Sequence, residues 1–442
     1  METELTGRIV TPGDPGYEEA RTNLNLFHAK YPDIIVFCQN EQDVINALTY
    51  AREREIPFRI RGGRHSYLNL SSIDQGMVID LSDINHVKVE GDMAEVGPGA
   101  DLERVYKKLW KHRLALPAGT EFSVGVTGLT TGGGIGYLSR VFGLTCDLLK
   151  SVRIVLADGK TGAKAVAADR KNHPGLFWAI RGGGAANFGI ITSLKFKVKP
   201  IGEVSIFTVD WDFDHFEDVY QTWQTWAPFT DEKLTSSIEL KTKKQDTLTA
   251  EGQYIGPKEE LIKLIQPLIK QTDPRSVKVA EVPFNRAFKY FNYPAGNEPA
   301  YFKRSGSFVH QLIPPRGIAI MKKFLENSPN DDNVIWQQAL AGAVQEKSPS
   351  ETAFFHRKAL IAQEYNSTWK HEHLARRNVI WVEALRKQMA PYTQGDYVNW
   401  PDLSIHDWPT SYYGDNFERL REVKTEVDPY NVFHFPQSIP PL

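Results

Sequence analysis

The chain has 442 residues, 41% apolar and 24% charged, which is material for a large core and two or three domains and excludes a disordered, collagenous or coiled-coil protein. Lysine plus arginine (52) nearly balance aspartate plus glutamate (54), a net charge of −2 with no block of like charge that could track nucleic acid. Cys38 and Cys146 make neither a disulfide framework nor a zinc spacing, no eighteen apolar residues run together, and the start METELTGRIV is not a signal segment, so a soluble, cytoplasmic protein with no membrane partner is expected.

In chain order, short β-branched runs at residues 34–37, 58–60, 78–81 and 94–96 predict strands separated by glycine turns. Between the first two, Val44, Ile45, Leu48 and Ala51 recur at helical spacing behind Asn40, a natural N-cap, and residues 100–110 repeat the pattern. A second strand group runs from 152–156 through the Asp158-Gly159 turn to 190–191 and 194–198, and Pro200 closes it. Beyond it, alternation at 237–241 and 248–250 predicts half-buried antiparallel strands, which helical patterns at 258–270 and 317–326 would cover. Residues 396–442 hold too few periodic apolar positions to fold alone and are expected to pack back on the first part. The fold class is α+β, divided at 1–200, 201–395 and 396–442.

Glycine concentrates in three places. Arg61-Gly62-Gly63-Arg64-His65-Ser66 follows the strand at 58–60; adjacent glycines let a backbone approach closely and converge its N–H groups on a phosphate, and they equally make an ordinary turn. In VGVTGLTTGGGIG, residues 124–136, six of thirteen positions are glycine and three are threonine. That much bare backbone suits a large flat ligand carrying phosphates, or a tightly packed strand-turn region. Arg181-Gly182-Gly183-Gly184 with Asn187-Phe188-Gly189-Ile190 is the third cluster, and no lysine follows any of them as a phosphate loop requires. His371-Glu372-His373 lacks a third ligand, so no metal site is expected.

The succession of RGGRHS, VGVTGLTTGGGIG, Asn431-Val432-Phe433 and Gln437-Ser438-Ile439 resembles, end to end, the bacterial flavin-dependent oxidases related to berberine bridge enzyme, within the vanillyl-alcohol oxidase fold class. The resemblance implies a two-part PCMH-type FAD-binding domain over 1–200, an α+β substrate domain with an antiparallel sheet over 201–395, and a C-terminal segment over 396–442. It implies one covalent bond, from His65 to the 8α-methyl of FAD, because Glu121 stands where many relatives carry a second, cysteinyl link. Cys146 lies too far along the chain to replace that link and reads as a buried structural thiol. The resemblance further places the cofactor along Arg61, Gly62, Gly63, Arg64, His65 and Ser66, along Gly128, Thr131, Gly132, Gly134, Ile135 and Gly136, and at Gly189, Ile190, Asn399 and Asn431. Trp400 stands where relatives often have tyrosine.

Substrate oxidation needs a base, because hydride leaves a C–H bond more readily as the neighbouring hydroxyl or amine loses its proton. Glu364-Tyr365-Asn366-Ser367-Thr368-Trp369 resembles the family's Y-x-x-x-W strand that faces the flavin. Alternation aims Glu364 and Tyr365 at opposite faces, which makes Glu364 the candidate base, Tyr397 the alternative, and Tyr67 and Tyr137 candidate pocket phenols. The implied activity is hydride transfer from a small alcohol, sugar or amine to FAD, with O2 reoxidation giving hydrogen peroxide. A dehydrogenase passing electrons to a quinone or protein acceptor, and a non-enzymatic flavin-binding protein, are the alternatives. The sequence leaves the oligomeric state open.

Overall fold

Residues 3–442 are described by the computed structural model, in which the apolar runs pair into three main sheets. The first has the order Arg8–Val10, Ile34–Phe37, Met77–Asp80, Phe58–Arg61, with the last three parallel. Parallel neighbours need a crossover, and helix Glu41–Glu53 supplies it, burying Val44, Ala47, Leu48 and Ala51. Asn40 caps that helix by accepting the Asp43 N–H at 3.1 Å. The second sheet is antiparallel, in the order Val87–Glu90, Met93–Val96, Ile190–Lys197, Leu149–Asp158, Gly162–Asp169, and shares a core with Leu102, Val105 and Leu109 of helix Leu102–Trp110.

The third sheet is wholly antiparallel and seven-stranded: Ser276–Pro283, Glu203–Trp211, Leu248–Tyr254, Leu234–Lys241, Val334–Ala339, Ile361–Trp369, Tyr301–Val309. One face packs Ile238, Leu240, Ile335, Ile361 and Tyr365 on helices Phe216–Trp226, Pro315–Glu326 and Ala375–Met389. Period two sends the intervening residues to the other face, where the register aligns Glu239, Trp336, Glu364 and Gly306 across four adjacent strands. The C-terminal segment then returns to the first part. Buried Lys424 of helix Phe417–Val427 donates to Asn187 O (2.6 Å), Phe433 O (2.6 Å) and Asp428 Oδ2 (2.7 Å), and Tyr413 OH donates to Gly183 O (3.1 Å).

Three local differences from the expectations have physical causes. The helix expected over 258–270 breaks at Ile265 into Lys258–Leu264 and Gln266–Lys270, because Pro267 has no N–H to continue the ladder. The two runs at 190–191 and 194–198 belong to one strand, Ile190–Lys197, whose register shifts between Ile191 and Ser193. The glycine-rich segment contains a short helix, Val126–Thr131, although threonine and glycine are poor helix formers; the Thr130 and Thr131 hydroxyls bond back to Val126 O and Thr127 O. Among the described residues no helix is long and apolar enough to cross a membrane.

Arg61, which ends the strand Phe58–Arg61, is fully buried with Nε 2.5 Å from Asp80 Oδ2 and Nη2 2.7 Å from Ala20 O. Removing one partner of such a pair strands the other charge. Asp80→Ala is therefore expected to cost about 3–5 kcal/mol in urea unfolding; a loss under about 1 kcal/mol is the contrary result.

Candidate active site

The loops leaving the first two sheets and the polar face of the third enclose a cavity of about 740 Å³, within the roughly 300–1,000 Å³ range of ligand and cofactor sites. One wall is the loop after strand Phe58–Arg61: Gly62, Gly63, Arg64, His65, Ser66 and Tyr67 all line the cavity. Among the described residues, the N–H groups of Gly62, Gly63, Arg64 and His65 donate to no backbone carbonyl, and Arg64 has a φ of 58°. Such a run of open N–H groups is what an anionic ligand requires. The second wall, through Gly125, touches the first without side chains: a Cβ on Gly63 would lie 2.2 Å from Gly125 N, and one on Gly125 2.7 Å from Gly63 N. Gly128, Ile135 and Gly136 continue that wall, Gly189 and Asn187 add a third, and Phe433 to Gln437 close it from the chain end.

The floor is the sheet face carrying Glu239, Trp336, Glu364 and Arg304. Glu364 is 7% exposed, and its Oε1 is buried without a hydrogen-bond partner. Arg304, diagonal to it on the next strand, places Nη1 3.8 Å from Glu364 Oε1 and 2.9 Å from the Tyr67 hydroxyl, to which it donates. Burial raises the Glu364 carboxyl above its ordinary value, and the Arg304 charge holds back part of the rise. Burial also raises the Tyr67 phenol well above its ordinary value, which suits it to donating a hydrogen bond rather than to acting as a base. His65 is pushed down to about 4 by burial and then by Arg304, so its imidazole is neutral near pH 7. Tyr397 also lines the cavity; burial raises its phenol well above the ordinary value, and the hydrogen bonds its oxygen accepts from Gly134 N–H and Asn399 Nδ2, each at 2.9 Å, hold back part of that rise. Asn399 Nδ2 donates in addition to Leu129 O at 3.0 Å.

Ten of the cofactor residues expected from the sequence line the cavity: Gly62, Gly63, Arg64, His65, Ser66, Gly128, Ile135, Gly136, Gly189 and Asn399. Six do not, each for a packing reason. Arg61 is spent on Asp80; Thr131 accepts the Gly182 and Gly184 N–H groups behind the wall; a Cβ on Gly132 would meet Asn399 Oδ1 at 2.1 Å. Gly134 is bonded to Tyr397, Ile190 lies in the core with Val155, and Asn431, with a φ of 51°, forms the turn after Asp428. The sequence reading missed the segment from Phe433 to Gln437, the pair Glu239 and Trp336, and the role of Arg304. The basic pair Lys303-Arg304 is not exposed: alternation sends Lys303 to Asp402 at 2.5 Å and Arg304 into the cavity, a split that strand period alone could have given. Cys38 and Cys146 are both buried away from the cavity, Cys146 with its thiol pushed up to about 12 by burial. His371 and His373 are exposed and stack at 5.7 Å.

The open N–H groups, the bare glycine contact and the volume fit a dinucleotide such as FAD. The family described as FAD binding domain matches residues 32–162, and that described as berberine and berberine like matches 396–440. The FAD-linked oxidoreductase YgaK of Bacillus subtilis is 54% identical over 443 residues, covering 100% of this chain and 98% of that one. Berberine bridge enzyme-like 24 of Arabidopsis thaliana is 30% identical over 454 residues, covering 91% and 82%. Among solved structures, Physcomitrella patens BBE-like 1 superposes with a TM-score of 0.92 at 28% identity over 98% of this chain and 96% of that one. A chitooligosaccharide oxidase gives 0.89 at 25% identity over 99% and 97%.

A methyl group between the two glycine walls should force them apart. Compared in the His65→Ala background, where no covalent bond can hold the flavin, Gly63→Ala is expected to weaken FAD retention by about 1–3 kcal/mol, read as the flavin-to-protein absorbance ratio after dialysis; an unchanged ratio would contradict the close-contact role.

Proposed function

The chain belongs to the berberine bridge enzyme-like family of FAD-linked oxidoreductases, and on that premise we propose that it is an oxidase in which Glu364 takes the proton while a small alcohol, sugar or amine gives up hydride. FAD, when bound, would supply the acceptor for that electron pair, with reoxidation by O2 giving hydrogen peroxide. The observation that carries this reading is Glu364 Oε1, buried in the wall of the cavity with no hydrogen-bond partner and with Arg304 Nη1 3.8 Å away as its counter-charge. A base must be within hydrogen-bond reach of the proton it abstracts, and an acceptor that no protein group uses is free for a substrate hydroxyl or amine. The Arg304 charge favours the ionised carboxylate against its burial, and the Tyr67 hydroxyl, which accepts from Arg304, favours the same form by hydrogen bonding to Glu364. Trp336 and Trp400, meeting edge to face at 6.0 Å, give the same wall a broad apolar surface on which a ring can stack.

Two further features support the covalent and oxidase parts of the reading. His65 is neutral and in the wall of the cavity, as a nucleophile toward the cofactor must be, and no cysteine is among the described lining residues to make a second bond. Val124 lines the cavity beside Gly125, and its small side chain is in keeping with an approach for O2. The chitooligosaccharide oxidase among the structural neighbours is in keeping with this chemistry.

Glu364→Gln preserves shape and removes the base. Anaerobic flavin reduction by a substrate found in a screen of alcohols, sugars and amines is expected to slow by about a hundredfold or more; a wild-type rate removes Glu364 from the mechanism. In air, the oxidase reading predicts one hydrogen peroxide per substrate oxidised. Turnover that requires a quinone or dye and yields no peroxide is the dehydrogenase result.

A further inference from the structure

His65 faces the cofactor cavity on one side and a hydrogen-bond chain on the other. Its Nε2 is 2.6 Å from Ser123 Oγ, which is 2.8 Å from Asn297 Oδ1. The Ser123 backbone N–H donates to the same Oδ1 at 2.9 Å. Asn297 Nδ2 donates to Asn292 Oδ1 at 3.0 Å and to Tyr293 O at 2.9 Å, and Asn292 Oδ1 also accepts the Phe122 N–H at 3.0 Å.

These contacts decide where the protons lie. A backbone N–H can only donate, so the Asn297 atom facing Ser123 is its carbonyl oxygen, and the amide cannot be flipped without losing both Nδ2 bonds. A carbonyl oxygen carries no proton, so the Ser123 hydroxyl donates to it. The serine lone pair that remains faces His65, and Nε2 must carry the hydrogen. Neutral imidazole has one N–H, so Nδ1 is the unprotonated and nucleophilic nitrogen, and no described residue hydrogen-bonds to it.

From this accounting we infer that Ser123 and Asn297 are positioning residues for flavin attachment: they lock His65 in the tautomer and orientation that present Nδ1 to the cofactor. The inference rests on the covalent reading given above. The bond formed joins His65 Nδ1 to the 8α carbon of FAD, and a C–H bond of that methyl breaks. The methyl and the neutral imidazole each give up one hydrogen, the electron pair passes to the ring system, and O2 takes up both hydrogens and the pair as hydrogen peroxide. Atoms and electrons balance as FAD plus histidine plus O2 giving histidyl-FAD plus H2O2. His65 and Ser123 belong to the loops of the first part of the chain, whereas Asn297 belongs to the turn Pro294–Asn297, which leads into strand Tyr301–Val309 of the seven-stranded sheet. Attachment therefore follows docking of that turn, and a half-assembled molecule holds its flavin loosely.

The test uses the full chain, produced under riboflavin limitation, purified, and incubated with FAD in air. Acid-stable flavin is followed against time, and total bound flavin is read separately from the native spectrum. Ser123→Ala and Asn297→Leu are expected to bind FAD yet attach it roughly 3- to 10-fold more slowly, the loss of one orienting hydrogen bond. Their flavin peptides should contain both Nδ1 and Nε2 isomers, where the wild type and Ser123→Thr give Nδ1 alone. Wild-type attachment rate and a single isomer in both Ser123→Ala and Asn297→Leu would overturn the inference. Release of all flavin by acid from the wild type, as from His65→Ala, would instead overturn the covalent reading itself.

Discussion

A carboxylate buried in the middle of a sheet is costly unless a counter-charge lies close, and the placement of Glu364 depends on Arg304 meeting that condition. The two sit on adjacent antiparallel strands in diagonal register, Glu364 opposite Gly306 and Arg304 opposite Asn366. Gly306 matters because a Cβ there would strike the Trp400 ring at 2.5 Å, so its absence lets an indole, rather than water, close over the wall beside the carboxylate. The opposite face of the same strand is equally constrained. Gln363 Nε2 donates to the Tyr365 hydroxyl at 2.5 Å, and Ser367 donates to Asn378 of helix Ala375–Met389 at 3.0 Å, so the strand cannot slip by one residue without exchanging a satisfied polar network for the cavity.

The cavity is held shut by contacts between segments remote in sequence. Tyr397 anchors the Gly134 N–H, Lys424 ties Asn187 to Phe433, and Asn297 ties the turn Pro294–Asn297 to Ser123. Each links segments far apart in sequence by hydrogen bonds, so the parts of the chain are coupled by polar bonds as well as by apolar cores. A cofactor in such a cavity is surrounded by all three parts.

Much of this was legible in the sequence where one local rule governs. Asn40 reads as a cap because its side chain answers a local N–H, and Glu364 reads as cavity-facing because strand period leaves only two faces. The glycine clusters mark loops that line the cavity but not the division of labour within them. Gly63 and Gly125 are bare because two chains touch, Gly132 because Asn399 fills the space, and neither fact has a local signature. Thr131, Ile190 and Asn431 lie outside the cavity lining for the same reason: a motif fixes the neighbourhood of a ligand, while which residues line the cavity depends on tertiary contacts such as Gly182 and Gly184 on Thr131 O. The Ser123 to Asn297 link spans 174 residues, so no pattern along the chain reports it.

The account turns on Glu364 being the base, and its pH dependence tests that most directly. Burial raises the carboxyl above its ordinary 4.5, and only the ionised form accepts a proton, so activity is complete above the raised value and is lost as pH falls through it. The measurement is the anaerobic flavin-reduction rate at saturating substrate from acid to neutral pH, in the wild type and in Glu364→Gln. The account predicts a rate that climbs through a midpoint above 4.5 in the wild type and a residual rate without that limb in the variant. The same limb in both proteins would contradict it.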